Sequence, residues 1–330
     1  MSTATKVQKV VLIHTTPVAE EIFRDAGAHF PTLEVEHRTE TPLFDLATST
    51  PGLEFDRCVL ELCRRVDEAA AGGAEAVLVT CSTLGAASDV VNAISSIPVV
   101  RIDRPMAVEA VRYGGSIGLI ATQESNFASS VQILKDAARE AGKEGIEIKK
   151  ALRTEAFDAL TNNDRAFHDQ LIGELIDELA TEVDVVVLAQ ASMASAASRP
   201  ASVPVLTSPA AALRSLGEAV DSLAKPSAPI TTPALDQLRI YTIREGLMEM
   251  WLEYFHRVIV PLHEAVGIPV AGPWRNTADE NEFVWIRSFS GDRPVEEQEN
   301  RFFNSPARVA LGDVRERYVE DLTVRVLTKS

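Results

Sequence analysis

The sequence predicts an α/β fold of two pseudo-symmetric lobes with parallel sheets, followed by a C-terminal α+β domain of ferredoxin-like type. Three observations support this prediction. Apolar, strand-like runs alternate with helix-like segments from residue 8 to about residue 224. Within that region the sequence repeats itself at a nearly constant spacing. Beyond a proline-containing segment the pattern changes to strands with one solvated face.

The strands of the first region are short, unbroken apolar runs, which are typical of strands buried on both faces of a parallel sheet. The clearest run begins at Ala76 and ends at Cys81, after which helical spacing starts. The predicted strands are 8–14, 33–37, 75–80, 97–101, 115–121, 145–150, 184–189 and 203–206, with helical segments such as 17–28, 54–71, 124–141 and 167–181. Residues between such a strand and its helix lie at the carboxyl edge of the sheet, where ligands bind.

The first region is internally duplicated. Val10–Thr15 resembles Ile117–Thr122, Ala76–Thr83 resembles Val185–Ser192, and Ile97–Val100 resembles Val203–Leu206. The matching positions lie 106 to 109 residues apart in all three cases. We therefore predict two like lobes whose strand ends face a shared cleft.

The predicted domains are a two-lobed domain over residues 1–222, a linker over 223–236 and a C-terminal domain over 237–330. The linker holds three prolines. The C-terminal order is a strand over 238–243, a helix from 246 to about 266, strands near 268–274 and 281–289, helical segments over 294–303 and 306–316, and a strand over 322–327. This order of strand, helix, strand, strand, helix, strand predicts a split antiparallel sheet with helices on one face. The uncovered face of such a sheet needs a partner, so we expect a homo-oligomer, either a dimer or a larger assembly.

Composition narrows the functional classes. The formal net charge of −16 argues against a nucleic-acid partner. No apolar run is long enough for a membrane helix and residues 1–10 lack a signal-peptide core, so we expect a cytoplasmic protein without a membrane partner. Of the three cysteines, Cys58 and Cys63 fall on a predicted helix and are predicted packing residues. No metal or dinucleotide motif occurs, and we expect no metal and no other cofactor.

Several segments resemble the aspartate/glutamate/hydantoin racemase superfamily over about residues 8–222. They are the CSTLG sequence at Cys81, Arg101–Asp103 with Met106, Gly118–Thr122, and Leu188–Met193. The resemblance implies cofactor-independent chemistry beside a carboxylate, with cysteine as acid, base or nucleophile. The superfamily includes amino-acid and hydantoin racemases, maleate isomerase and arylmalonate decarboxylase.

The C-terminal part resembles a second family. Leu238–Ile243, Glu282–Ile286 and Phe302–Pro306 are similar to NIPSNAP-type domains, which are ferredoxin-like modules that tend to dimerise. The aromatic residues Trp251, Tyr254 and Phe255 occur at helical spacing and are predicted core residues. His263 is predicted to be structural, and the C-terminal sequence offers no polar constellation that would mark a site of its own.

Cys81 is the candidate catalytic residue, because a helix N-terminus directly after it favours a thiolate. Ser82 and Thr83, at the start of that helix, are candidate donors to a carboxylate or enediolate. Each hydroxyl could instead cap the helix, but we favour ligand contact for Thr83. Arg101 and Asp103 are predicted to form a structural ion pair.

The second lobe supplies further candidates. Thr122 follows the fifth strand, and Gln190 and Ser192 follow the seventh, so all three are predicted to bind substrate. Racemases of the superfamily carry a second cysteine where this chain has Gln190, and an amide has no usable pKa for proton transfer. Either no acid or base contacts the second face of the substrate, or a side chain other than Gln190 acts as the acid or base there. The candidate is His14, whose strand neighbours that of Cys81 in a 2-1-3 order; the alternative is a hydrogen bond to a loop.

These observations predict a cofactor-independent racemase-, isomerase- or decarboxylase-type enzyme acting at the alpha carbon or double bond of a small carboxylate. With one thiol, decarboxylation or double-bond isomerisation fits better than racemisation by paired thiols. Racemisation with His14 as second base stays open. The alternative is a non-catalytic module that binds small carboxylates, or an assembly module dimerised through its C-terminal domain.

Overall fold

The computed structural model describes residues 7–48, 52–221 and 233–328. The strands are β1 (Gln8–His14), β2 (Leu33–Thr39), β3 (Ala76–Val79), β4 (Val99–Arg101), β5 (Ser116–Ala121), β6 (Glu147–Leu152), β7 (Val185–Leu188), β8 (Val205–Thr207), β9 (Pro233–Ile243), β10 (Val270–Arg275), β11 (Glu282–Ser290) and β12 (Val319–Thr328). The first nine helices are α1 (Pro17–Gly27), α2 (Thr41–Thr48), α3 (Leu53–Ala71), α4 (Gly85–Ile94), α5 (Arg104–Tyr113), α6 (Ser125–Glu140), α7 (Thr154–Thr161), α8 (Arg165–Leu179) and α9 (Ser208–Asp221). The C-terminal helices are α10 (Met248–Tyr254), α11 (Val260–Ala265), α12 (Val295–Phe303), α13 (Pro306–Ala310) and α14 (Val314–Tyr318).

The first two sheets have the same topology, which confirms the predicted fold class. Their strand orders are β2-β1-β3-β4 and β6-β5-β7-β8, and the pairs β1–β2, β1–β3, β5–β6, β5–β7 and β7–β8 are parallel. Val10 pairs with Ala76 in one sheet, and Ile117 pairs with Val185 in the other. The repeat seen in the sequence is therefore a repeat in strand register.

The position of each strand in its sheet follows from its side chains. Every residue of the inner strands β3 and β7, with sequences AVLV and VVVL, is buried. The outer strands β2 and β6 carry charged residues (LEVEHRT and EIKKAL), which an edge tolerates and which discourage further strand pairing.

The two lobes exchange their last helices. Helix α5 follows a strand of the first sheet, yet its Ala107 and Val111 pack in the core of the second sheet with Ile117. Helix α9 follows the second sheet, yet its Leu213 and Leu216 pack in the core of the first sheet. Because each lobe completes the core of the other, burial of these helices fixes the two sheets together.

The C-terminal sheet is antiparallel, with strand order β10-β11-β9-β12, and the predicted strand and helix order is confirmed. Two details differ from the prediction. The single helix expected over 246–266 is interrupted by a π-helical turn at Phe255–Ile259, and the helix expected over 306–316 is divided into α13 and α14. Gly312, with φ 62°, lies at that division in a conformation that favours glycine.

The chain divides into two compact units that interleave along the sequence. One comprises the described residues of 1–41, 74–85 and 100–221, and the other those of 42–73, 86–99 and 222–330. The linker predicted over 223–236 lies mostly outside the described residues, and residues 233–236 begin β9. The predicted domain boundaries stay a prediction. No helix within the described ranges is long and apolar enough to cross a membrane.

Helix α3 belongs to the same unit as the C-terminal sheet, and ion pairs hold it there. The fully buried Asp56 accepts two hydrogen bonds from Arg317, at 2.7 and 2.8 Å. Arg64 of α3 donates to Glu253 of α10 at 2.6 Å. The chain segment between β2 and β3 therefore serves as part of the C-terminal packing unit.

Candidate active site

Cys81 and Gln190 occupy equivalent backbone positions in the two lobes. Both are extended (φ −115°, ψ 117° and φ −124°, ψ 138°) and both directly precede a 3-10 turn. The carbonyl of Cys81 accepts from the amide N–H of Leu84 at 3.1 Å, and that of Gln190 accepts from Met193 at 3.1 Å. The same backbone geometry therefore presents a thiol in one lobe and an amide in the other.

Thr122 anchors the side chain of Gln190. Its backbone N–H and its hydroxyl both donate to Gln190 Oε1, each at 2.9 Å. A backbone N–H can only donate, so the atom it contacts is the amide oxygen. Gln190 is half-buried, and its Nε2 has no hydrogen-bond partner among the described residues. Two N–H donors are therefore available to an acceptor such as a carboxylate.

The hydroxyls of Ser82, Thr83 and Ser192 are not used as helix caps. Ser82 and Thr83 are exposed in the turn after Cys81, and Ser192 is half-buried in the turn after Gln190. Within the described ranges none of the three hydroxyls is hydrogen-bonded, and neither turn has a side-chain cap. The three hydroxyls flank the two strand ends and can donate to a ligand.

His14 is fully buried at the end of β1, and both of its ring nitrogens are occupied. Nδ1 lies 2.8 Å from Thr80 Oγ1, and Nε2 lies 2.9 Å from Nδ1 of His37, on which the ring stacks. Thr80 gives its own hydroxyl proton to the Ile13 carbonyl at 3.1 Å, so it accepts from His14 Nδ1–H. Burial, and then His37, lower the pKa of His14 to about 4. His14 is thus neutral near pH 7, with its lone pair engaged by His37.

We expect His14 to make the folded state sensitive to acid. Its pKa is about 4 when folded, against an ordinary value of 6.5, so the unfolded chain binds this proton more tightly. The stabilisation is complete above pH 6.5 and is lost toward pH 4, by roughly 2 to 3 kcal/mol between about pH 7.5 and 4.5. Urea unfolding at the two pH values measures this loss. His14→Gln should reduce the pH dependence, and the exposed His29→Gln is the control; equal slopes in both would contradict the assignment.

The other two cysteines do not resemble a reactive thiol. Cys58 and Cys63 are buried on α3, whereas Cys81 is half-buried. Burial, and then Asp67, raise the pKa of Cys63 to about 12, which keeps it protonated near neutral pH. Among the described residues, no group of three or more His, Cys, Asp and Glu side chains is placed to hold a metal ion.

The predicted ion pair next to the Cys81 turn is present. Arg101 Nε and Nη2 donate to the two carboxylate oxygens of Asp103, at 2.6 and 2.8 Å. The guanidinium lies against Gly85, where an added Cβ would come within 2.3 Å of Nη2. A glycine at the end of the turn therefore leaves room for the arginine.

The Gln190 loop lies against the first lobe. Ala191 packs on the hydrophobic cluster of the first sheet, and the turn Ala191–Ser198 contacts α1. Helix α1 begins two residues after Thr15, at the carboxyl end of β1. The structure thus brings the turn after β7 in the second lobe against the helix that follows β1 in the first.

Residues 15–216 match the sequence profile of the Asp/Glu/hydantoin racemase family. The chain belongs to this family. Its membership supports an isomerase- or racemase-type function. A search of curated proteins finds no match to the sequence.

Solved structures of a racemase and of a racemase homologue are similar to this chain. Allantoin racemase from Klebsiella pneumoniae matches at 16% identity over 68% of this chain and 96% of its own, with a TM-score of 0.48. An aspartate racemase homologue from Pyrococcus horikoshii OT3 matches at 17% identity over 65% and 99%, with a TM-score of 0.50. The C-terminal part is similar to a NIPSNAP domain protein from Burkholderia xenovorans, at 18% identity over 29% and 94%, with a TM-score of 0.26.

Three polar residues of this racemase-family region were missed in the sequence. Thr15 is buried and is the counterpart of Thr122, so the duplication itself carried the signal. Thr80 precedes Cys81 and is buried against His14. His37 meets His14 only through the pairing of β1 with β2, in which Leu12 is opposite His37. No local pattern could have revealed that contact.

Proposed function

We propose that this chain is a cofactor-independent enzyme acting at the alpha carbon or double bond of a small carboxylate, with Cys81 as its one thiol acid/base or nucleophile. The observation that carries the proposal is the shared backbone position of Cys81 and Gln190. Family membership supports the reaction class. Because the Cys81 thiol can exchange a proton and the Gln190 amide cannot, this pair supports chemistry on one face of the substrate.

Gln190 is suited to binding and not to proton transfer. Its oxygen already accepts two hydrogen bonds from Thr122, which leaves the N–H donors of Nε2. Negative charge gathers on carboxylate oxygens when a carbanion forms next to them, and fixed donors aimed at those oxygens lower the barrier. We propose that further donors to these carboxylate oxygens are the hydroxyls of Ser82, Thr83 and Ser192.

Two balanced reactions need only one thiol. In decarboxylation, the bond to CO₂ breaks, its electron pair forms an enediolate, and the Cys81 thiol protonates the alpha carbon from one side. In double-bond isomerisation, the Cys81 thiolate adds to one alkene carbon and the π electron pair moves to the other carbon as an enediolate. The resulting single bond rotates, and the pair forms the double bond again as the thiolate leaves. Each route returns the sulfur to its starting state after exchange with water.

His14 fits a positioning role better than that of a second base. A base needs a free lone pair within reach of the substrate, and the Nε2 lone pair of His14 is held by His37. The hydrogen bond to Thr80 instead connects β1 to the residue before Cys81. Racemisation with His14 as second base stays a prediction that the experiment below also tests.

The decisive experiment gives the second lobe its missing thiol. Wild type and Gln190→Cys are compared by NMR in D₂O on aspartate, glutamate, maleate and a 2-aryl-2-methylmalonate. The new thiol would occupy the backbone position equivalent to that of Cys81. We expect wild type to consume maleate or the malonate. We expect Gln190→Cys to racemise aspartate or glutamate at least about 100-fold faster than wild type does.

Ala194→Cys is the matched control, because it adds a thiol four residues later on the same turn, at a position that is not assigned to substrate binding. It should leave the stereochemical outcome unchanged. Racemisation by wild type at the rate of Gln190→Cys would show a second base already present and would point to His14. Binding of these carboxylates with no turnover by any variant would favour the non-catalytic alternative.

Assembly and location belong to the same proposal. We expect a homo-oligomer in the cytoplasm that binds neither nucleic acid nor membrane. The exposed apolar side chains of Val324, Val326 and Leu327 on β12 and the net charge of −16 support these expectations. Sedimentation of the purified chain measures the first of them.

A further inference from the structure

A cavity of about 400 Å³ lies within the C-terminal sheet and its covering helices. Its sheet wall is formed by alternate residues of β9 and β11, including Arg239 and Trp285, which are directly opposite each other. Its helical wall includes Trp251, His263 and Phe302. This volume is in the range of sites for small organic ligands. The C-terminal sequence had shown no such constellation, because the lining residues come from separate elements spread from β9 to β12.

An arginine lies at a core position of this cavity. The buried face of β11 consists of Phe283, Trp285, Arg287 and Phe289, so Arg287 stands where the alternation calls for an apolar residue. Arg287 is 3% exposed and forms an ion pair with Glu299. Burial, and then the nearby Arg239, lower the pKa of Arg287 to about 10. The cavity thus shields its arginines from water and carries positive charge.

Two more guanidinium groups in the cavity have only neutral partners. Arg239 donates to the Tyr241 hydroxyl at 2.9 Å and to Gln237 Oε1 at 3.2 Å. Arg308 donates to the Gly312 carbonyl at 2.7 Å. Over the ranges that the structure describes, neither forms a salt bridge, although the chain has 48 acidic against 32 basic residues. Acidic residues are abundant in this chain, yet the one that lines the cavity among the described residues, Asp313, accepts from the Glu316 backbone N–H at 3.0 Å and forms no salt bridge with either arginine.

Three side chains that line the cavity each carry a buried polar atom without a partner among the described residues. Nε1 of Trp251, Nε1 of Trp285 and Nε2 of His263 make no hydrogen bond within the described ranges, and each side chain is 3% exposed. His263 donates its Nδ1–H to the Ile259 carbonyl at 2.7 Å, and burial lowers its pKa to about 3. His263 is therefore neutral, and its Nε2 is an acceptor. Buried polar atoms of this kind are normally paired, so a ligand is expected to pair them.

The π-helical turn contributes to this wall. In a continuous α-helix, Trp251 and His263 would point about 120° apart. The wider turn at Phe255–Ile259 winds less per residue and brings the two side chains toward one face. Such turns are frequent at functional sites.

We propose that this cavity binds an aromatic monocarboxylate that carries a hydroxyl group. The carboxylate would accept from Arg239 and Arg308, which form no salt bridge with any described residue. The ring would lie among Tyr241, Trp285 and Phe302, and the hydroxyl would donate to His263 Nε2. The apolar walls favour a monoanion over a phosphate dianion, since burying the second charge costs more.

The test is calorimetric titration of the full chain with 4-hydroxybenzoate. We expect one binding site in the wild type. Its affinity for 4-hydroxybenzoate should be about 10- to 100-fold lower in Arg239→Gln and in Arg308→Gln, because each variant loses a charge-assisted hydrogen bond to the ligand. Arg275→Gln, an exposed arginine on β10 that does not line the cavity, is the matched control and should bind as wild type does. Cys81→Ala should also bind normally, because the site does not depend on the proposed catalytic chemistry. Circular dichroism verifies that each variant is folded.

Two further ligands separate the chemical classes. The neutral isostere 4-hydroxybenzyl alcohol and benzoate, which lacks the hydroxyl, should each bind at least about 10-fold more weakly than 4-hydroxybenzoate. Absence of 4-hydroxybenzoate binding, equal binding of the alcohol, or unchanged affinity in both arginine variants would overturn the proposal. Tighter binding of phenyl phosphate would overturn the choice of a monoanion.

Discussion

Replacing Cys81 with alanine is expected to lower kcat/KM on the true substrate by at least about a thousandfold. The alanine side chain can neither hold a proton nor add to an alkene carbon. The position is half-buried in an extended segment before a turn, so a smaller side chain should leave the fold intact. The substrate found in the D₂O experiment is used for the measurement, and unfolding in urea verifies that stability is retained.

The chain contains its own chemical control for this experiment. Iodoacetamide near neutral pH should modify Cys81 and inactivate the enzyme, whereas Cys63, whose pKa is about 12, should remain unmodified in the folded state. Mass mapping of the alkylated peptides identifies the site. Full turnover by Cys81→Ala, or full activity after complete alkylation of Cys81, would end the proposed mechanism.

Replacing Arg317 with methionine is expected to destabilise the C-terminal unit by about 3 kcal/mol. Both oxygens of Asp56 accept from Arg317, and Asp56 is fully buried. Burial already raises the pKa of Asp56, although Arg317 favours the charged form. Without the Arg317 cation, the buried Asp56 carboxylate must either stay ionised without a partner or take up a proton. All three tryptophans lie between Trp251 and Trp285, so their fluorescence during urea unfolding reports on this unit.

Two variants separate the buried charge from other effects. Arg275→Met breaks an exposed ion pair with Glu249, at 44% and 81% side-chain exposure, and should cost less than about 1 kcal/mol. Asp56→Asn combined with Arg317→Met removes both charges and should recover part of the lost stability. Equal destabilisation by Arg317→Met and Arg275→Met would refute the role of burial.

The fold was predictable because its signals are local and periodic. Apolar runs such as Ala76–Val79 predicted buried parallel strands, and their recurrence predicted a second sheet with the same strand order. The helix exchange between lobes was not predictable. Ala107 and Leu213 are apolar and follow strands of their own lobe, and nothing in their spacing indicates which sheet they cover.

The candidate site was predictable only in part. The sequence repeat aligned Gln190 with Cys81, and the structure gives both residues the same backbone geometry. The hydrogen bonds that restrict Gln190 and His14 come from Thr122 and His37, which are remote in sequence. Protonation and donor direction depend on such contacts, so residue type alone left the role of His14 open.

The sequence by itself determined where the strands run, that they run twice, and that a thiol in one copy corresponds to an amide in the other. These features depend on side-chain periodicity and residue type, which are properties of the chain. Only the tertiary structure decided which polar atoms remain free to bind a ligand. Gln190 Nε2 in the racemase-type lobes has no hydrogen-bond partner among the described residues, and Arg239 and Arg308 of the C-terminal cavity have only neutral partners, because the acceptors around these groups are set by how distant parts of the chain pack.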